Sequence, residues 1–158
     1  MSDHANRDTL TLELDEHPSE EELRELVDGV RVYNRAITGR ERPRAVACFL
    51  RDDAGHIVGG AHCALWGRSV HIEAMWVAES HRGKGHGSAL LEAVETYAAS
   101  QGHVLAYLET TSFQARPFYE SLGYRVFGEL DGIAEGCTLF FLRKELKAPI
   151  DERETETR

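Results

Sequence analysis

HIEAMWVAESHRGKGHGS, residues His71–Ser88, is the stretch on which the reading of this chain turns. It opens as an apolar strand. It closes in a run where glycine alternates with other residues: Gly83, Lys84, Gly85, His86, Gly87. The segment that continues from Ser88, SALLEAVETYAAS, has the pattern of an amphipathic helix. A strand, a glycine-rich turn and a helix in that order make an anion site. Glycines carry no Cβ, so backbone N–H groups can converge on one point. The first helical turn adds unpaired N–H donors and the positive end of the helix dipole. Arg82 and Lys84 add full positive charge beside it. The natural guest is a phosphate or diphosphate.

Working outward, length and composition bound the answer. The chain has 158 residues, enough for one domain with its own core, and a 42% hydrophobic fraction in the globular range. No apolar run approaches the roughly 18–20 residues that span a bilayer. The N-terminus, MSDHANRD, has no basic-then-apolar leader pattern. Cys48, Cys63 and Cys137 are scattered and odd in number, with no C-x-x-C pair. They read as reduced thiols on strands, so a cytoplasmic location is expected. The net charge of -9 argues against general nucleic-acid binding, because phosphates would be repelled. No membrane partner is expected either.

The pattern along the chain predicts alternating strands and helices. DTLTLELDE places Leu10, Leu12 and Leu14 on one face and predicts a first strand. Ser19 and Glu22 form an S-x-x-E capping box that starts a helix, with Leu23, Leu26, Val27 and Val30 as its buried stripe. The helix should end near Gly39 and a loop. Arg44–Arg51 is the second strand and His56–Trp66 the third, weakened or bulged at Gly59 and Gly60. A two-residue turn, Gly67-Arg68, leads into the fourth strand, Ser69–Val77. The helix from about His86 to Ser100 follows, then a fifth strand at Val104–Thr110. A short helix over Phe113–Leu122 stops at Gly123. Tyr124–Leu130 and Cys137–Glu145 are the sixth and seventh strands, linked by a flexible acidic loop, Asp131–Gly136. Residues 1–7 are expected to fray, residues 1–148 to form one domain, and residues 149–158 to be a charged tail. The expected class is α+β, a three-layer α/β/α arrangement.

The glycine spacing excludes two familiar phosphate binders. No G-x-x-x-x-G-K-[ST] run occurs, and glycines at 83, 85 and 87 do not fit G-x-G-x-x-G. The run does match R-x-x-G-x-G, as Arg82, Gly85 and Gly87. With the strand before it, the helix after it and FYESLGY (Phe118–Tyr124) downstream, the chain resembles the GNAT superfamily of N-acetyltransferases over about Thr9 to Leu146. That resemblance implies a GNAT-like fold, a central twisted mixed sheet of about seven strands flanked by helices. It implies that the fourth and fifth strands splay apart at a bulge. Acetyl-CoA is the implied cofactor, used as a co-substrate. Its pantetheine arm would enter the splay and pair with the backbone of Met75 and Val77. Its diphosphate would sit on Arg82, Gly83, Lys84, Gly85, His86, Gly87 and Ser88. Members commonly carry an asparagine seven residues before a catalytic tyrosine; here Ser112 stands there, and Tyr119 is the tyrosine. The resemblance implies that Tyr119 lies near the coenzyme sulfur as the acid. Family members often dimerise, which leaves a homodimer open.

Acetyl transfer to an amine needs a neutral nucleophile, a polarised thioester and a proton for the departing thiolate. On the fourth strand His71 and Glu73 are two apart and share a face. If Gly67-Arg68 is a two-residue turn, Glu73 lies opposite His62. His62, His71 and Glu73 then form one group, and the resemblance implies a base at the strand positions of His71 and Glu73, where GNAT members often place one. Glu73 is the first candidate base and His71 the second. No metal is expected. The expected acceptor is a primary amine of a small molecule, held between Tyr33–Pro43 and the Asp131–Gly136 loop, with Glu41, Asp131 and Glu135 drawing a cationic amine. Acetylation of a protein lysine or N-terminus, and a non-catalytic acetyl-CoA-binding module, are the alternatives.

Overall fold

The structure, a computed structural model, describes residues 10–39 and 42–147. The expectations for residues 1–7, for Glu41 and for the tail at 149–158 lie outside the described residues. The chain divides into two compact units, residues 1–41 and residues 42–158.

The described part of the first unit holds one helix, α1 (Glu20–Thr38). Its start is the expected reciprocal cap. Glu22 N–H donates to Ser19 Oγ at 3.2 Å, and Ser19 N–H donates to the Glu22 carboxylate at 2.8 Å. Glu20, Glu21 and Glu22 occupy the first turn, at the positive end of the dipole. Gly39 ends the helix in the left-handed conformation, and its N–H donates to Arg35 O at 2.8 Å. Two expectations are corrected here. Leu10, Leu12 and Leu14 belong to no strand, and the stripe Leu23, Leu26, Val27 and Val30 is not buried. The physical reason is the same for both. Alternation and a helical stripe select a face, but burial needs a second element, and the described part of this unit offers none.

The second unit is built on a six-stranded sheet, in the order β1-β2-β3-β4-β6-β5. Its strands are β1 (Arg44–Arg51), β2 (Ile57–Trp66), β3 (Ser69–Val77), β4 (Leu105–Thr111), β5 (Arg125–Ala134) and β6 (Cys137–Glu145). Two helices complete it, α2 (His86–Ser100) and α3 (Arg116–Ser121). The class is α+β as expected, with six strands rather than about seven, because the expected first strand is absent from the described residues. The expected fourth and fifth strands are β3 and β4. They are the parallel pair; every other neighbouring pair in the sheet is antiparallel. Parallel neighbours need a crossover, and α2 supplies it. The turn at Gly67-Arg68 has two residues, since Trp66 pairs with Ser69, and Gly67 has a φ of +58°. The expected loop at Asp131–Gly136 is mostly strand: Ala134 pairs with Cys137, leaving Glu135-Gly136 as a tight turn.

Alternation along the strands builds the core. Cys63, Leu65, Val70, Ile72, Ala106, Leu108 and Leu142 point to one face and meet Leu91, Val94 and Ala98 of α2. Cys48, Cys63 and Cys137 are free thiols on strands, as expected. Burial, with Glu73 and Cys48 nearby, pushes the Cys63 thiol up to about 12. The far end of α2 is fixed by a polar lock. Tyr124 Oη donates to Glu95 at 2.9 Å, and Lys144 Nζ donates to its other oxygen at 2.6 Å. Burial, then Glu95, pushes the Tyr124 hydroxyl well above its ordinary value, so it stays a donor. Tyr124 is therefore a packing residue.

Two irregularities decide the shape of the sheet. Cys63 pairs with Ile72 but His62 pairs with Ala74, so Glu73 is the extra residue of a bulge. The β3–β4 ladder also stops there, running only from Ser69–Leu105 to Ile72–Leu108. Gly59 and Gly60 mark close approach, and a separate register shift lies beside Gly59, where Leu50 pairs with Gly59 but Arg51 pairs with Ile57. A Cβ on Gly60 would lie 2.8 Å from Cys48 O, and one on Gly59 would lie 3.0 Å from Trp76 O. Gly60→Ala should therefore push β1 and β2 apart and lower stability by about 1–3 kcal/mol. Urea unfolding checks this; a midpoint equal to that of the parent would disprove the close approach.

Candidate active site

Beyond Ile72 and Leu108 the two central strands separate, and a cavity of about 590 Å³ opens between them. Ile72–Val77 of β3 line one side, Glu109, Thr110, Gln114 and Ala115 the other, and Arg82 and Tyr119 close it. Here β3 pairs with β2 only, so its β4-facing backbone has no strand partner from Glu73 to Val77. An extended ligand can take that edge by pairing with the main chain. Met75 and Val77 lie on it, as the sequence reading expects.

At the end of β3 the chain enters the glycine run through a short turn, Glu79–His81. None of the N–H groups from Gly83 to Ser88 finds a backbone acceptor among the described residues; the first that does is Ala89, on Gly85 O at 3.0 Å. This row of free donors at the head of α2 is an anion nest. The three glycines serve different ends. Gly83 and Gly85 have φ of +72° and +82°, which the turn requires. Gly87 is helical, and a Cβ there would lie 3.2 Å from the Phe118 ring. The two cations brace the loop. Arg82 Nε donates to Val77 O at 2.9 Å and Lys84 Nζ donates to Ser80 O at 3.0 Å. His81 and His86 lie close by, their rings tilted at 6.4 Å.

Tyr119 sits on α3, buried, edge-on to both Phe118 and Tyr124, and lines the cavity. Burial pushes its hydroxyl above the ordinary tyrosine value, so it holds its proton at neutral pH. Ser112 lies elsewhere. Its Oγ accepts from Thr138 N–H at 3.2 Å and its own N–H donates to Thr138 O at 2.8 Å, which ties the end of β4 to β6. It does not line the cavity. Gln114 takes a capping role instead, its side-chain oxygen accepting from Thr111 N–H at 3.0 Å and from the buried Thr110 hydroxyl at 3.3 Å. Arg116 is engaged locally, with Glu120 at 3.1 Å and over the Phe140 ring at 4.4 Å.

His62, His71 and Glu73 come together as expected, but through a different register. A regular hairpin would set Glu73 opposite His62; the bulge sets Ala74 there and leaves Glu73 unpaired. Its carboxylate still reaches His62 Nδ1 at 3.0 Å, while His71 Nδ1 is 3.9 Å away. Sequence reasoning missed Glu109. Its carboxylate meets His71 Nε2 at 2.7 Å, and Tyr107 stacks on the His71 ring at 4.4 Å. The signal was present in alternation, since Tyr107 and Glu109 share a face of β4, but it needed knowledge of which strand lies beside β3. No cluster of His, Cys, Asp and Glu fit to hold a metal ion occurs among the described residues.

The Acetyltransferase (GNAT) family model matches residues 6–124. The chain belongs to the GNAT family of acetyltransferases. It is accordingly an acyltransferase. The blasticidin-S acetyltransferase of Streptomyces morookaense is 31% identical over 119 residues, covering 74% of this chain and 88% of that one. A crystal structure of an acetyltransferase from Bacillus cereus is 31% identical, with a TM-score of 0.74 over 85% of this chain and 98% of that one. A structure from Agrobacterium tumefaciens is 25% identical, with a TM-score of 0.81 over 86% and 99%. GNAT proteins use acetyl-CoA, and the cleft fits such a donor: an unpaired strand edge leads to a nest of free N–H groups. Gly85→Ala, which forces a side chain into the left-handed region, should weaken acetyl-CoA binding about tenfold by calorimetry. Gly87→Ala should instead lower the melting temperature by pressing on Phe118. The reverse pattern would remove Gly85 from the nest.

Proposed function

We propose that this GNAT protein moves the acetyl group of acetyl-CoA to a primary amine of a small molecule by direct transfer in a ternary complex. One observation carries the reading. A single cleft has free main-chain donors leading into it, a carboxylate on the bulge of β3, and a buried, protonated tyrosine in its wall. Residues 1–148 are taken as one domain, a reading supported by a family match that runs across both units.

Acetyl-CoA supplies the activated acetyl group. The N–H groups from Gly83 to Ser88 hold the diphosphate, with Arg82 and Lys84 contributing positive charge. Met75 and Val77 pair with the pantetheine through their backbone. Ser112, whose oxygen accepts from Thr138 N–H, still has its hydroxyl hydrogen for a donor-side contact. Glu73 takes the proton from the acceptor ammonium and frees its lone pair. His71 is the second candidate for that step. Tyr119 gives its proton to the departing thiolate, a role suited to a hydroxyl that burial keeps neutral. Holding both reactants in one cleft supplies the positional part of the acceleration. The acceptor is assigned to small amines because the relative at 31% identity is named for blasticidin S.

An assay of coenzyme A release across blasticidin S, other amine-bearing antibiotics, polyamines and lysine peptides tests the reading. Release with a small amine is expected. Release with peptides alone would make the chain a protein acetyltransferase, and binding of acetyl-CoA without any release would make it a binding module. Tyr119→Phe should lower kcat by about 10–100-fold with acetyl-CoA affinity nearly unchanged. A large affinity loss at normal turnover would remove the acid role. Glu73→Gln should slow the reaction most at low pH, where the acceptor is most fully protonated and a base matters most. A pH profile parallel to that of the parent would exclude Glu73 as base.

A further inference from the structure

The two imidazoles beside Glu73 are not equivalent. His62 Nδ1 lies 3.0 Å from the Glu73 carboxylate, in ion-pair contact with it. Its side chain is 52% exposed, so the ring touches both the carboxylate and solvent. His71 Nδ1 is 3.9 Å from Glu73, too far for a hydrogen bond, and its side chain is 25% exposed. The His71 ring is held from two sides, by Glu109 at Nε2 and by the stacked Tyr107. One ring is placed to pass a proton on; the other is clamped.

Acetyl transfer from a thioester to an ammonium releases one proton overall. The N–C bond forms as the C–S bond breaks, the thiolate leaves as a thiol, and an amide replaces the ammonium. The ammonium starts with three protons and the amide keeps one. One proton goes, in balance, to the thiol through Tyr119, which must itself be reprotonated. The other must reach solvent from the base. The geometry points to Glu73 and His62 as the outlet for that proton, with Glu109 a positioning residue that fixes His71 outside the path. This rests on the reading of Glu73 as the base. Imidazole suits the outlet because it is the side chain that takes up and gives up protons near neutral pH. The carboxylate in the path belongs to the bulge residue, and it keeps its contact with His62 although the bulge sets Ala74 opposite that residue. The titratable and charged groups around Glu73 are His62 from β2, His71 from β3, Tyr107 and Glu109 from β4, Arg82 at the mouth of the cavity, and Cys63 beneath.

The test uses the full chain with acetyl-CoA and blasticidin S, or the amine of the panel turned over fastest. Rates are followed through the neutral range at rising imidazole buffer. His62→Gln should lower kcat about tenfold, leave the KM for acetyl-CoA unchanged, and recover part of the loss as imidazole is added. His71→Gln should show no recovery with imidazole. Glu109→Gln should change the His71 ring-nitrogen NMR signals and raise the acceptor KM, and Glu109→Asp should restore part of both. His62→Gln turning over like the parent, or recovery with imidazole in His71→Gln rather than His62→Gln, would overturn the outlet. Unaltered His71 signals in Glu109→Gln would overturn the clamp. A parent that binds acetyl-CoA and acetylates no amine would end the acetyl-transfer reading, and the relay with it. A parent that acetylates while its His62 variant is unaffected ends the relay alone.

Discussion

The structure depends on one broken ladder. Two parallel strands begin in register at Ser69 and Leu105 and lose each other after Ile72 and Leu108. The cause is local. One extra residue, Glu73, is inserted against β2, and a bulged strand bends and twists more strongly than a regular one. The hydrogen bonds that β3 fails to make to β4 are then open to a ligand. The inserted residue is also the one whose carboxylate lies 3.0 Å from His62 Nδ1. A single irregularity thus supplies both the opening and the group proposed as the base at its edge.

A packed core lies beneath this break. The core below the sheet is closed by α2, whose buried positions Leu90, Leu91, Val94 and Ala98 meet the inner faces of the strands. The head of that helix presents the free N–H groups, and its far side is locked through Glu95 to Tyr124 and Lys144. Because α2 is also the crossover between β3 and β4, the nest and the cleft belong to one continuous passage of chain, Ser69–Tyr119.

Much of the fold was legible in the sequence. The glycine run, the capping box at Ser19–Glu22, the turn at Gly67-Arg68 and the bounds of α2 and β6 follow from local chemistry, and local chemistry is what sequence displays. The grouping of His62, His71 and Glu73 was also reached, though by counting a register that the bulge then shifted. What escaped was non-local. Glu109 meets His71 only because β4 lies beside β3, which no spacing within either strand reveals. Leu10, Leu12 and Leu14 alternate like a strand, yet alternation does not supply a pairing edge. The turn at Glu135-Gly136 was read as a long loop because Asp131 and Gly132 look like loop residues. Asp131 is instead held on the ladder, its carboxylate accepting from the Thr138 hydroxyl at 2.7 Å.

Cys63 carries a consequence of its own. It lies on β2 next to the register shift, fully enclosed, with burial and the Glu73 carboxylate both opposing ionisation of its sulfur. A thiol in that position is inert while the strands stay closed, because only a solvated thiolate attacks an alkylating reagent. Its alkylation would therefore act as a clock for breathing of the sheet beside the bulge, timing how often the region under Glu73 opens, with no label engineered into the chain.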